Sequence, residues 1–251
     1  MLEKNGVMVM NNKSNIKPMG WNSSTSWLEI KLEDKDIDYL MNIVNDAEEK
    51  ASGADIRVQK SSLVGNISKS FSILEEENKS KYFSKKYLNL CIKRWLEEHD
   101  GRHPLTKSII YSLQEAGKLN KVKLESFWAN HQYKYEFNPP HNHSAVYSFV
   151  IWLKIPYNYK TEILDKRFSG TKVIDRKPGC FEFYTPNSDT LGNFGIDSYT
   201  YQLDKSWEGT MLFFPSNLTH QVFPFYSTDE KRITLSGNIN FELFLNDTDK
   251  K

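Results

Sequence analysis

Residues 141 to 143 read His-Asn-His, so two of the chain's six histidines stand one residue apart. On a strand, positions i and i+2 share a face, which lets His141 and His143 converge on one point while Asn142 faces away. A third histidine, His220, follows 79 residues after His141, just past the turn Pro215-Ser216-Asn217. Two near ligands and one remote ligand on a β-scaffold can hold one face of an octahedral iron, leaving three positions for a co-substrate and oxygen. Imidazole suits Fe(II), Zn(II) and Ni(II) alike, so the residue types alone do not select the metal. A His-x-His pair taken alone occurs often by chance, as surface or hydrogen-bonded histidines.

Arg232 lies twelve residues after His220 and opens the stretch RITLSGNINF. By the same alternation Arg232, Thr234 and Ser236 share a face. A guanidinium and two hydroxyls turned into a barrel suit a carboxylate, held by a bidentate Arg contact and an O–H donor. The competing reading is an edge-strand Arg in solvent, continuing the charged turn Asp229-Glu230-Lys231. Elsewhere His99, His103 and His131 read as surface or hydrogen-bonded residues.

These groups need a framework. Apolar residues Ile37, Leu40, Met41, Val44 and Ala47 predict a helix from Asp34, and residues 81 to 99 predict a second with Tyr82, Leu88, Cys91, Ile92, Trp95 and Leu96 inward. Residues 61 to 73 read as a crossing loop, and Trp27 to Leu32 as an opening strand. After Lys121 the period becomes two. Strands are expected at 122–130, 132–137, 148–155, 180–184, 199–203, 210–214, 218–223 and 232–244, with turns at Asn138-Pro139-Pro140, Lys177-Pro178-Gly179, Asn187-Ser188-Asp189 and Pro215-Ser216-Asn217. Helices followed by about eight short strands predict a mostly β fold with some α: a jelly roll, cupin-like, buttressed by N-terminal helices. One domain is expected over 23–246, with a helical part at about 34–118 and a jelly-roll core at about 121–244, preceded by a loose, polar N-terminal arm at 1–22. The segment between Tyr157 and Asp197 is expected to form long loops near the barrel mouth.

Composition narrows the classes. Lysine and arginine number 33 against 32 acidic residues, so no overall charge marks a nucleic-acid or membrane-surface partner. No stretch approaches the roughly 20 apolar residues of a membrane helix, and the two cysteines, Cys91 and Cys180, fit a reducing compartment, so a cytoplasmic protein is expected. There is no Gly-x-Ser-x-Gly, Gly-x-x-x-x-Gly-Lys, His-Glu-x-x-His or Cys-x-x-Cys motif.

The segments FWANHQYKYEFNPPHNHSAVYSFVIWLKIP and GTMLFFPSNLTHQVFPFYSTDEKRITLSGNINF together resemble the Fe(II)/2-oxoglutarate-dependent oxygenases, especially those of phages and marine bacteria. The shared pattern runs from a Trp-x-Asn strand (Trp128-Ala129-Asn130) through the histidine pair and a Gly-x-x-x-x-Phe-Pro strand to the distal histidine and an Arg-x-Ser/Thr strand. The resemblance covers 127–156 and 209–241, with weaker similarity upstream. It implies a double-stranded β-helix; Fe(II), 2-oxoglutarate and O2 as requirements; and succinate and CO2 as by-products. It further implies His141 and His220 as metal ligands, Arg232 with Thr234 on the distal carboxylate of 2-oxoglutarate, and Asn130 and Tyr133 as lining residues. Tyr135, Tyr147 and Trp152 are further candidates for the cavity wall.

One departure stands out: the family's common second ligand is Asp or Glu, and here that position is His143. Three neutral imidazoles leave the centre one unit more positive than two imidazoles and a carboxylate. A shifted register, with His143 first and Ala145 at the carboxylate position, would resemble halogenases. Two other functional classes stay open: a three-histidine cupin-like dioxygenase that needs no 2-oxoglutarate, and a non-catalytic jelly-roll binding or virion-associated module. The substrate, a small molecule or a protein, is not specified by any motif.

Overall fold

The computed structural model describes residues 2–4, 7–9, 15–22, 25–51, 65–98, 122–169, 175–188, 192 and 194–241. Strands β1 (Leu2–Lys4), β2 (Val7–Val9), β3 (Ile16–Asn22) and β4 (Thr25–Lys31) precede helix α1 (Asp34–Ala51). Strand β5 (Lys69–Ser72) and helices α2 (Leu74–Ser80) and α3 (Asn89–Glu98) follow. Eight more strands then complete the fold: β6 (Val122–Gln132), β7 (Asn138–His141), β8 (Tyr147–Lys154), β9 (Phe181–Ser188), β10 (Phe194–Tyr201), β11 (Thr210–Pro215), β12 (Thr219–Val222) and β13 (Arg232–Phe241).

These eight divide between two antiparallel sheets. The larger sheet runs β1-β2-β3-β4-β11-β8-β13-β6-β5, the smaller β10-β9-β12-β7. The chain changes sheet at every connection from β6 to β13 except the β9–β10 hairpin. That alternation defines a jelly roll of the double-stranded β-helix kind, as the sequence led one to expect.

Strand β8, in the middle of the larger sheet, is covered on both faces. Its run YSFVIWLK is buried from Tyr147 to Leu153 because alternate residues enter two different cores. Phe149, Ile151 and Leu153 pack toward the helices with Leu40, Val44, Phe83 and Ile92. Val150 and Trp152 pack between the sheets with Trp27, Phe181, Phe183 and Phe214. A sheet covered on both sides reads as a continuous apolar run rather than an alternating one. Helix α1 follows its predicted face, with Leu40, Val44 and Ala47 buried, and carries Asp34 and Asp36 in its first turn and Lys50 in its last, matching the helix dipole.

Several expectations need correction. Residues 16–22 are not a loose arm: β3 pairs with β4 along its length, burying Ile16 and Met19, so polar composition hid a sheet strand. Lys69–Ser72, expected in a loop, is β5 and pairs with β6. The expected strand 132–137 stops at Gln132 and turns, with Tyr135 at φ 69°. Asn138-Pro139-Pro140, expected as a turn, lies in β7, where an edge position tolerates prolines that lack a donor. Tyr82, expected inward, is 37% exposed, although its hydroxyl donates to the buried Asp36. The stretch between Tyr157 and Asp197 contains a short helix, Tyr159–Glu162, and β9 rather than loops alone. Cys91 and Cys180 are buried free thiols, and residues 99–121 of the expected helical part, with His99 and His103, lie outside the described residues. Among the described residues no helix is long and apolar enough to cross a membrane.

Candidate active site

The two sheets enclose a cavity of about 330 Å³, and its polar wall is set by strand register. On β13, Ile233, Leu235 and Ile239 point to the helix-side core, so Arg232, Thr234, Ser236 and Asn238 point inward. Strand β6 does the same with Phe127 and Ala129 outward and Ser126, Trp128, Asn130 and Gln132 inward. Register then pairs them across the strands: Gln132 with Arg232, Asn130 with Thr234, Trp128 with Ser236, and Ser126 with Asn238. The result is a ladder of polar pairs along one wall, with Arg232 at one end.

The three histidines close the opposite wall. His141, last in β7, stands directly across from His220 in β12, and their ring centroids are 4.3 Å apart. His143 lies just beyond the end of β7, where its backbone N–H donates to Ser216 O at 2.7 Å, and its ring is 5.2 Å from each of the others. Each ring offers one nitrogen, and the three nitrogens lie within 4.8 Å of one another. The Nδ1 atoms of His141 and His220 face backbone carbonyls, Pro139 O at 2.7 Å and Leu218 O at 2.9 Å. With Nδ1–H donating there, Nε2 keeps its lone pair free for the cluster, and the carbonyl contact fixes the ring's orientation as it does for metal-ligating histidines. Burial lowers the pKa of all three: His141 falls below its ordinary range, His143 is pushed down to about 4, and His220 lies well below. Neutral imidazole is the form that binds a metal.

Arg232 is 1% exposed and held from three sides. Its Nη1 donates to the Tyr157 hydroxyl and, at 3.1 Å, to Gly179 O, while Nη2 donates to Gln132 Oε1. Tyr157 donates in turn to Gly179 O at 2.6 Å, and burial pushes its hydroxyl up to about 12, so it stays protonated. Gly179 adopts φ +69°, and a Cβ there would sit 2.5 Å from the Tyr157 ring, so the turn admits this anchor only with glycine. The Arg232 Nε is buried with no hydrogen-bond partner. A buried guanidinium donor left unmatched costs a few kcal/mol, and a carboxylate oxygen is its natural complement. No carboxylate lines the cavity among the described residues, so Arg232 is its one charged group at neutral pH.

Of the sequence candidates, Arg232, Thr234, Ser236, Asn130, His141, His143, His220 and Trp152 all line this cavity. Tyr133 does not: it begins the turn after β6, is 37% exposed and donates its N–H to Glu136. Tyr135 is exposed beside Arg167, and Tyr147 packs on Trp95 and Phe213 in the helix-side core. Ala145 does not line the cavity, and His141 joins the cluster, so the halogenase-like register has no geometric support. His131 is buried on the helix side, where Lys231 Nζ lies 3.1 Å from its Nδ1. Gln132, Tyr157 and Gly179 were missed. The Lys-Pro-Gly turn was visible in sequence, but nothing local says that its carbonyl meets an arginine 53 residues later.

An antiparallel double-stranded β-helix with a histidine cluster and a buried arginine facing one cavity defines a class of metal-competent jelly-roll proteins. Residues 126–238 match the family described as "Putative 2OG-Fe(II) oxygenase". That stretch, a little under half of the chain, is similar to the domain of the 2OG-Fe(II) oxygenases, a family that uses Fe(II), 2-oxoglutarate and O2. No curated protein sequence matches the chain. Similar solved structures include a Pseudomonas putida prolyl-4-hydroxylase (11% identity, 86% of this chain and 93% of that one, TM-score 0.42). A Trichoplax adhaerens prolyl hydroxylase in complex with a hypoxia inducible factor peptide is also similar (12%, 94% and 84%, 0.45). So is SnoN, an α-ketoglutarate-dependent epimerase of nogalamycin biosynthesis (13%, 86% and 78%, 0.45).

Proposed function

We propose that the protein is a non-haem Fe(II)- and 2-oxoglutarate-dependent hydroxylase whose metal is held by His141, His143 and His220. Arg232 receives the distal carboxylate of 2-oxoglutarate, assisted by the Thr234 hydroxyl, and Asn130 lines the same stretch of wall. The observation that carries this reading is the orphaned, buried Nε of Arg232 in a cavity that also presents three neutral imidazoles. When bound, iron with 2-oxoglutarate and O2 supplies the oxidising power, releasing succinate and CO2 and oxidising a C–H bond of the substrate.

The chain's own residues do the positioning. The Pro139 and Leu218 carbonyls fix the tautomers of His141 and His220, so no proton must leave an imidazole before metal binds. Gln132, Tyr157 and the Gly179 carbonyl hold the Arg232 fork in one orientation, which reduces the ordering cost of receiving a carboxylate. The aromatic groups of Trp152, Phe181 and Phe214 line the cavity beside the polar wall and exclude water.

The test is 2-oxoglutarate turnover with Fe(II) and O2, followed as succinate. Slow formation without added substrate, abolished in His220→Ala and strongly reduced in Arg232→Ala, is expected. Oxygen uptake with no succinate would instead indicate a three-histidine dioxygenase that does not use 2-oxoglutarate. Neither product nor metal retention would leave a binding module.

A further inference from the structure

The polar ladder extends past the histidines, and its far end is unassigned. Inward positions two residues apart on a strand are separated by about 7 Å, so Trp128 and Ser236 lie two such steps beyond Arg232, and Ser126 and Asn238 three. The Trp128 ring is 6.1 Å from the His143 ring, which places the metal cluster level with this part of the wall. A co-substrate reaching from Arg232 to the metal therefore leaves the Ser126 end uncovered. There the Trp128 Nε1 and Ser126 Oγ are both buried without a hydrogen-bond partner, and Trp128 is only 6% exposed. Indole N–H can only donate. Asn238 Oδ1 already accepts from Ser148, leaving its amide nitrogen as the remaining donor. The subsite is rich in donors and has no acid.

Charge points the same way. Iron contributes two positive charges and Arg232 one, three neutral histidines contribute none, and 2-oxoglutarate returns two negative charges. With no carboxylate among the lining residues, one positive charge is left in a cavity where uncompensated charge is expensive.

We infer that the Trp128, Ser126 and Asn238 end of the cavity is a substrate subsite for a carboxylate, so that the substrate is a monoanionic carboxylic acid entering by a small acidic group. This rests on the metal and co-substrate reading above. A cavity of about 330 Å³ is at the small end for ligand sites, which limits the entering group to a compact one.

The test uses full-length protein loaded anaerobically with Fe(II) and 2-oxoglutarate, whose chelate gives a weak visible band. Matched pairs are titrated: propionate with propionamide, isovalerate with isovaleramide, benzoate with benzamide. Band perturbation and thermal shift are both read. At least one acid is expected to bind about tenfold or more tighter than its amide, the scale of a hydrogen bond to a charged group. Trp128→Phe, which keeps an aromatic side chain but removes the indole donor, is expected to lower that preference about tenfold, and Ser126→Ala to lower it less. Equal binding of acid and amide, preference unchanged in both variants, or loss of the band as the acid displaces 2-oxoglutarate would each overturn the inference. Should Trp128→Phe fail to fold, Ser126→Ala and the wild-type comparison decide. If no band forms in the loaded protein, the co-substrate reading itself fails and the subsite falls with it.

Discussion

Replacing Tyr157 with Phe removes one oxygen and leaves the ring stacked on Phe225, so it isolates the anchor of Arg232. Two hydrogen bonds disappear: Arg232 Nη1 to the hydroxyl, and the hydroxyl to Gly179 O. Both stranded partners keep each other, because Nη1 also donates to Gly179 O at 3.1 Å, and Nη2 retains Gln132. A hydrogen bond to a buried charge contributes about 1.5–3 kcal/mol. With the partners remaining satisfied, the lower half of that range applies, about 1.5–2 kcal/mol. For a chain of this length that lowers Tm by roughly 3–8 °C. Urea unfolding gives the free energy, and 2-oxoglutarate binding gives the functional effect, expected as a several-fold rise in Kd with Fe(II) binding unchanged. A variant as stable as wild type, within about 0.3 kcal/mol, and equal to it in 2-oxoglutarate affinity would refute the claim that Tyr157 preorganises Arg232.

Arg232→Lys keeps the charge but not the planar fork, and is expected to weaken 2-oxoglutarate binding at least tenfold while sparing the metal, as read by anaerobic titration. Gly237→Ala would bring a Cβ within 2.5 Å of Phe149 Cζ and 2.9 Å of Ser126 O, and overpacking of this kind is expected to cost about 1–3 kcal/mol in urea unfolding. Asp36 offers a pH signature. Burial alone would raise its pKa, but hydrogen bonds from Lys86, Tyr87 and Tyr82 outweigh burial and hold it below its ordinary 3.8. The unfolded chain then takes up the proton first, so the contribution is complete above about pH 4 and is lost as pH falls through the folded value. Asp36→Asn should flatten that acid limb of the stability curve.

Alternation carried most of what was legible in the sequence. RITLSGNINF reads as a strand with apolar residues on one side and Arg232, Thr234 and Ser236 on the other, and its neighbours respect that division because one face meets the helix-side core. The His-x-His pair converged although His143 lies beyond the end of β7, since its backbone is held by Ser216 rather than by a strand partner. Tyr133, which the family resemblance implied as a lining residue, falls just past the end of β6, where the chain turns out of the cavity wall. The β3 strand escaped notice because a sheet extension with one covered face tolerates polar residues such as Lys17. Long-range anchors such as Tyr157 and Gly179 on Arg232 leave no local pattern, since each is ordinary in its own segment.

The central claim, that three histidines hold iron while Arg232 holds 2-oxoglutarate, is tested most directly by anaerobic Fe(II) and 2-oxoglutarate titration of wild type, His220→Ala and Arg232→Ala. One Fe(II) per chain and a visible chelate band are expected for wild type. His220→Ala should lose the metal, and Arg232→Ala should keep it while requiring far more 2-oxoglutarate. Binding that neither substitution alters would contradict the account.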